Sequence, residues 1–326
     1  MRRREILAGL GAAAAWPHGA RAQQPRRIGV LMGYAESDPE AQVWVAAFRD
    51  GLQKLGWAQG HNVRIDIRWA KADAGSMQRF AEELIALKPE LVLSSSTAST
   101  AALLERTRAT PIIFGIVADP IGSGFVASLA RPGGNVTGFT NLEPTLASKW
   151  LELLKEVAPR VRRAALVFNP AAAPYVEYYL QPFKAAAASL AIEPIAAPVR
   201  DASELEAVIS AQAREPNTGL VAMPEAFLNA HRAEITSLAA RHRLPAIYPY
   251  RFFADIGGLL SYGTDLSDNF RRAATYADRI MRGEKPGDLP VQAPVKFELV
   301  INLKTAKALG LDVPLHLQQR ADEVIE

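Results

Sequence analysis

Two periods of hydrophobic pattern take turns along the chain. Short apolar runs at 27–32 (RIGVLM), 91–93, 111–117 and 136–140 read as buried strands, and RIDIRW at 64–69 alternates like a strand with one wetter face. Between them Trp44, Phe48, Leu52 and Leu55 recur at spacings of three and four, as do Met77, Phe80, Leu84 and Leu87. That is the stripe of an amphipathic helix. Further helical patterns fall at 98–108 and near 124–131. Five strand–helix steps in this order predict an open parallel sheet covered by helices on both faces.

The pattern restarts with a helix at 144–157. RRAALVFNP then reads as a strand ending at Asn169 and Pro170, and a long helix follows at 175–190. Strands are expected at 193–197, 219–223, 245–248 and 258–261, and helices at 203–213, 229–242 and 266–282. From Leu289 the last stretch, with VKFELVINLKTAKALGL read as a strand and a helix capped by Asn302, is expected to cross back toward the first domain. The fold class is therefore α/β: two doubly wound parallel-sheet lobes joined by a hinge, with lobe 1 at 23–141, lobe 2 at 142–288 and the returning segment at 289–326. Each lobe has an ordinary domain size, and two such lobes make a hinged cleft the natural architecture.

Charge changes the picture at the N-terminus. The net charge of +3 comes from 37 basic and 34 acidic residues, and setting aside Arg2, Arg3, Arg4, Arg21 and Glu5 leaves 33 of each. Residues 1–22 read as an export signal: a basic start, an apolar core at 6–16 too short to span a bilayer, and Ala20-Arg21-Ala22 as a cleavage site. Adjacent arginines suggest the twin-arginine route, and the missing Ser or Thr before the pair keeps the general secretory route open. The expected location is periplasmic, with cleavage after Ala22. The remaining chain is neutral and has no basic cluster, which disfavours nucleic acid and anionic membrane as partners. With no cysteine in the chain, disulfides, thiolate metal sites, a cysteine nucleophile and a lipoprotein anchor are excluded.

The candidate chemistry sits where strands end. The run at 91–93 turns into Ser94, Ser95, Ser96 and Thr97 at a helix start, a source of hydroxyls and N–H groups suited to a carboxylate. The next strand stops at Asp119 and Pro120, where Asp119 can accept from an ammonium group or cap the helix expected after Pro120. Tyr34, Glu36 and Ser37 come after the first strand; Thr140 and Asn141 fit a hinge that also lines the cleft. From the second lobe come Asn169, Tyr175, Glu225, Ala226 and Phe227, with Glu225 placed to receive a cation or sugar hydroxyl or to cap a helix. Tyr248, Tyr250, Phe252 and Phe253 are too dense for one buried stripe, so some of these rings are expected to face the cleft. Asp265 reads as a helix cap.

LARPGGNVTG at 129–138, the DP pair at 119–120 and the long stretch SYGTDL…KALGL at 261–311 resemble the substrate-binding proteins of ATP-binding-cassette (ABC) transporters, in the family that includes tryptophan- and tyrosine-binding members. The resemblance covers essentially the whole chain after the export signal. It implies a type I periplasmic binding protein fold with three crossovers, a ligand held between the lobes, and delivery to a membrane permease by what is by default a monomer. Aromatic and other amino-acid-like carboxylates are the first ligand expectation, and no cofactor is implied.

Other readings stay open at this point. Gly122-Ser123-Gly124-Phe125-Val126-Ala127 formally matches the dinucleotide pattern, with Glu143 downstream, although four residues separate it from the strand and Asp119 would repel a pyrophosphate. An exported NAD-linked enzyme, a hydrolytic cleft holding Glu36, Asp119 and Glu225, and a sensory periplasmic receptor are the alternatives. His61, His231, His242 and His316 lack the i, i+4 spacing of a zinc helix. His231 and His242 read as surface residues.

Overall fold

The computed structural model describes residues 25–141 and 143–326. The expected export signal at 1–22 and its cleavage site lie outside the described residues. The first lobe is a five-stranded sheet of β1 (Arg26–Met32), β2 (Val63–Trp69), β3 (Leu91–Ser94), β4 (Ile112–Val117) and β5 (Val136–Thr140). Its order is β2-β1-β3-β4-β5 and every pairing is parallel. Helices α1 (Pro39–Lys54), α2 (Ala74–Ala86) and α3 (Thr97–Arg106) connect the strands. The strands β3 and β4 are buried along their whole length because helices cover both faces. At the start of α1, Asp38 accepts from the N–H groups of Glu40 and Ala41, and Pro39 occupies a first-turn position whose N–H has no intrahelical partner anyway.

The second lobe contains α4 (Leu146–Val157), β6 (Arg163–Phe168), α5 (Val176–Ser189), β7 (Glu193–Pro198), α6 (Ala202–Ala213), β8 (Thr218–Ala222), α7 (Ala226–Ala230), α8 (Arg232–Arg241), β9 (Ala246–Tyr248), α9 (Arg251–Asp255) and β10 (Leu260–Gly263). After these come α10 (Leu266–Met281), β11 (Glu298–Asn302), α11 (Leu303–Leu309), α12 (Leu315–Arg320) and β12 (Glu323–Ile325). The second sheet runs β12-β11-β10-β9-β8-β6-β7, parallel except for the β10–β11 pair.

Three expectations are corrected here. The segment after Leu289 does not end in the first lobe: β11 pairs with β10 in the second sheet, and β12 with β11. Conversely α10, expected in the second lobe, packs on α1 and β4 of the first. Its Phe270 stacks on Trp44 with centroids 5.6 Å apart, Trp57 Nε1 donates to Asp278 at 2.8 Å, and Gly51 leaves room for Ala274. Sequence period gives a helix its apolar stripe without saying which sheet that stripe will cover. The third correction is the helix near 124–131, which does not form. Asp119 Oδ1 accepts from Gly122 N–H at 2.7 Å, Gly124 takes a left-handed φ of 70°, and the chain proceeds in turns to Pro132. The dinucleotide pattern therefore has no helix behind it.

The chain crosses between lobes three times: after β5, after β10, and at 292–297. These crossings are tied together. Thr140 N–H donates to Gln292 O, Thr264 Oγ1 donates to Asn141 O, and Asn269 Nδ2 donates to both Gly115 O and Thr140 O.

Candidate ligand site between the lobes

The carboxyl ends of β1, β3 and β4 face those of β6, β8 and β9 across the cleft, where ligands bind open α/β sheets. The two lobes meet over a small inner chamber of about 10 Å³, lined from the first lobe by Tyr34, Ser96, Thr97, Ile116 and Ala118, from the hinge by Asn141, and from the second lobe by Ala172, Tyr175, Pro224, Glu225, Ala226 and Asn229. A volume of that order suits a single water. Thr97, Ala172, Tyr175 and Ala226 also line an outer groove of about 890 Å³, so the chamber is the groove's inner end. Met77, Phe125, Tyr178 and Phe227 give the groove an apolar and aromatic wall.

Donors come from the first lobe. Ser96 caps α3 and exchanges hydrogen bonds with Ser99, which fixes the loop and leaves the first-turn N–H groups of Thr97 and Ala98 without intrahelical acceptors. Such a turn favours an anion. Acceptors come from the second lobe and hinge. Glu225, 3% exposed, caps the short α7 by accepting from the N–H groups of Phe227 and Leu228. Burial pushes its carboxyl up to about 8 despite the lowering effect of those N–H groups and that of Asn169. Burial likewise raises the phenols of Tyr34, Tyr175 and Tyr250.

Side-chain contacts join the lobes beside the chamber. Asn229 Nδ2 donates to the Tyr34 hydroxyl at 3.2 Å, and Arg232 on α8 pairs with Asp38 at the start of α1 at 2.7 and 3.2 Å. The side chains of that pair are 13% and 9% exposed. Hydrogen bonds also hold the back of the cleft, where Asn141 Nδ2 donates to the Tyr250 hydroxyl at 2.9 Å. Tyr250→Phe strands that amide donor in a buried site; we expect it to lower stability by about 1–3 kcal/mol in urea unfolding and to weaken ligand binding several-fold in calorimetry.

Of the residues picked from sequence, the structure gathers Tyr34, Ser96, Thr97, Asn141, Tyr175, Glu225 and Ala226 at the chamber, and Asp119, Asn169 and Phe227 along the groove. Ser95 stands behind the site, accepting from Gly33 N–H at 2.8 Å. Thr140 belongs to the hinge ladder, and the carbonyl of buried Pro120 accepts from Phe125 and Val126. Glu36 and Ser37 are exposed at a turn outside both cavities. Tyr248 is core: it stacks on Phe253 at 4.8 Å under Gly258. Tyr250 and Phe252 do line a hollow, on the far side of the hinge. His231 is half-buried, its Nδ1 2.9 Å from Phe227 O and its ring 4.2 Å from Phe227, and it lines the groove rather than the outer surface.

Glu36, Asp119 and Glu225 are not brought together, which removes the hydrolytic carboxylate set. Asp119 already holds the Gly122 turn. Asp119→Ala is expected to cost about 1 kcal/mol of stability and to change ligand affinity less than about threefold, read by urea unfolding and calorimetry. Sequence reasoning missed Ile116, Ala118 and Asn229. The last had one signal, a lone amide in the otherwise apolar AFLNA run after a strand end.

Residues 35–325 match the family described as ABC transporter substrate binding protein. The chain belongs to that family. It is 26% identical over 264 residues to a tyrosine-binding protein of Clostridioides difficile strain R20291, covering 81% of this chain and 75% of that one. Among solved structures, the ABC domain in complex with L-Trp from Streptococcus pneumonia aligns with a TM-score of 0.83 at 24% identity over 92% of this chain and all of that one. A ligand-free, open substrate binding protein with adhesive properties from Clostridium difficile aligns with a TM-score of 0.67 at 23% identity, covering 92% and 99% of the two chains. The fold is that of type I periplasmic binding proteins. The family binds solutes for a transporter, in agreement with the motifs at 129–138 and 261–311.

Proposed function

We propose that this ABC transporter substrate-binding protein is an extracytoplasmic receptor for an importer. It closes its two lobes on an amino-acid-like carboxylate, an aromatic amino acid first, and presents the closed form to a membrane permease. The observation that carries this reading is the chamber at the inner end of the groove, where an anion-favouring helix start on one lobe opposes buried acceptors on the other. An α-amino acid has both complementary ends, and its side chain would extend toward Tyr175 and Phe227 in the groove. The chamber is smaller than any amino acid as the lobes stand, so admission requires the lobes to part and settle again around the ligand. The higher TM-score against the L-Trp complex than against the open, ligand-free protein supports reading the present arrangement as near the closed form.

In this reading residues 1–22 direct export and are removed, the receptor works as a monomer, and no bond in the ligand is made or broken. Calorimetry of the purified protein against free amino acids, aromatic carboxylates, sugars, nucleosides and NAD tests it. Binding of an amino acid recovered unchanged is the expected result; binding of NAD, or a ligand returned altered, would overturn it.

A further inference from the structure

The polar groups of the chamber are unevenly shared. The first turn of α3 brings donors from one side, the N–H groups of Thr97 and Ala98, while the N–H and hydroxyl of Ser96 are both spent on Ser99 Oγ. The opposite wall brings acceptors: the Glu225 carboxyl and the amide oxygens of Asn141 and Asn229, the latter two residues each 1% exposed. Neither amide oxygen has a hydrogen-bond partner. Each amide is oriented by its other end, since Asn141 Nδ2 donates to Tyr250 and Asn229 Nδ2 to Tyr34. A buried acceptor left without a donor is a standing cost that a suitable ligand removes. Among the described residues lining the chamber, none is Lys, Arg or His. One carboxyl and two orphaned oxygens with no resident cation match the three N–H bonds of a primary ammonium group.

We propose that Glu225, Asn141 and Asn229 form the ammonium-binding corner of the chamber, that they restrict the ligand to primary amines, and that seating the amine displaces a proton from Glu225 to solvent. This rests on the receptor reading above and deepens it. Free of ligand, Glu225 has no cation to offset ionisation in the closed lobes, and burial keeps its proton on to about pH 8. The titratable groups that face it are the phenols of Tyr34, Tyr175 and Tyr250, which burial keeps neutral. Beyond Asn229 the Asp38 and Arg232 charges offset each other, and His231 turns toward the Phe227 carbonyl. On binding, Glu225–COOH and R–NH3+ become a carboxylate–ammonium pair, the Glu225 O–H bond breaks, and one proton leaves to buffer. Linkage then makes amine affinity rise as pH rises toward 8, by up to about tenfold per unit.

The test is calorimetry of the full protein with each L-amino acid, with 3-(4-hydroxyphenyl)propionate and indole-3-propionate as amine-free counterparts, and with polyols. Running it at pH 6.5 to 8.5 in phosphate and Tris, whose ionisation heats differ, counts protons. The expected result is an amino acid that binds with release of close to one proton at pH 6.5 and little at pH 8.5, and an amine-free counterpart at least a hundredfold weaker. Glu225→Gln should abolish the release and weaken amine binding at least tenfold. Equal binding of amine and amine-free acid, or no proton release, overturns the proposal on the native protein alone, whether or not the variant folds. Binding of a polyol or amine-free acid and of no amino acid overturns the ammonium corner and leaves a receptor; binding of nothing in the panel overturns both.

Discussion

Arg232→Met is expected to weaken ligand binding by tenfold to a hundredfold while both lobes stay folded. Arg232 stands on the second lobe and pairs with Asp38 of the first through two hydrogen bonds, with both side chains largely buried. It also donates to Asn229 O at 2.8 Å and lies 5.4 Å from the Phe252 ring, so it locks in place the residue that bridges to Tyr34. Breaking a buried pair from one side costs about 3–5 kcal/mol. In the proposed closing motion parted lobes would hydrate Asp38, so only the closed form would bear the loss, and about half of that cost, about 1.5–3 kcal/mol, is the expected share. At 1.4 kcal/mol per factor of ten, this corresponds to a tenfold to hundredfold loss of affinity. Asp38 keeps its role at the start of α1, which is why the variant is made on Arg232. Calorimetry reads the affinity, and solution scattering should show a larger radius without ligand; unchanged values of both would mean the pair does not hold the lobes together.

Gly138→Ala is expected to destabilise the protein by about 3 kcal/mol or more. Gly138 adopts φ of 152°, and a Cβ placed there would stand 2.1 Å from Phe114 O and 2.7 Å from Phe114 N. Those atoms are backbone of β4, fixed between β3 and β5, and cannot move aside like a side-chain end. The neighbouring register already shifts between Phe114 and Val117, where β4 carries one residue more than β5 just before the hinge at Thr140 and Asn141. The variant should therefore lose ligand binding along with stability, whereas Gly134→Ala, with nothing within 4 Å, should be nearly silent. Urea unfolding of the two variants side by side checks this, and equal midpoints would contradict it.

The strands and most helices were legible because burial imposes a period, and α1 is the clear case: Trp44, Phe48 and Leu52 announce it and all three are buried. Lobe membership was not. The apolar stripe of α10 is as suited to one sheet as to the other, and only Gly51, Trp44 and Trp57 on distant parts of the chain decide the matter. At 124–131 a helical spacing was overruled by local chemistry, the Asp119 turn and two glycines, which a count of apolar positions ignores. The site showed the same division. Strand ends pointed to Ser96, Thr97 and Glu225, since loops at one sheet edge must share a cleft. The Asp38–Arg232 pair lies 194 residues apart in sequence, and nothing local in either segment signals it. Aromatic density at 248–253 was misread for Tyr248 because stacking on Phe253 uses two rings in the core at once.

The central claim is that a small ligand is held where the two lobes meet. A crystal structure of the protein with the amino acid that binds best in calorimetry tests it most directly. The expected result is ligand density in the chamber, with its carboxylate at the Ser96–Thr97 turn and its amine against Glu225, and lobes set against each other as they are here around a widened chamber. Ligand found only in the outer groove or the hollow behind Tyr250, with the chamber unchanged, would contradict it.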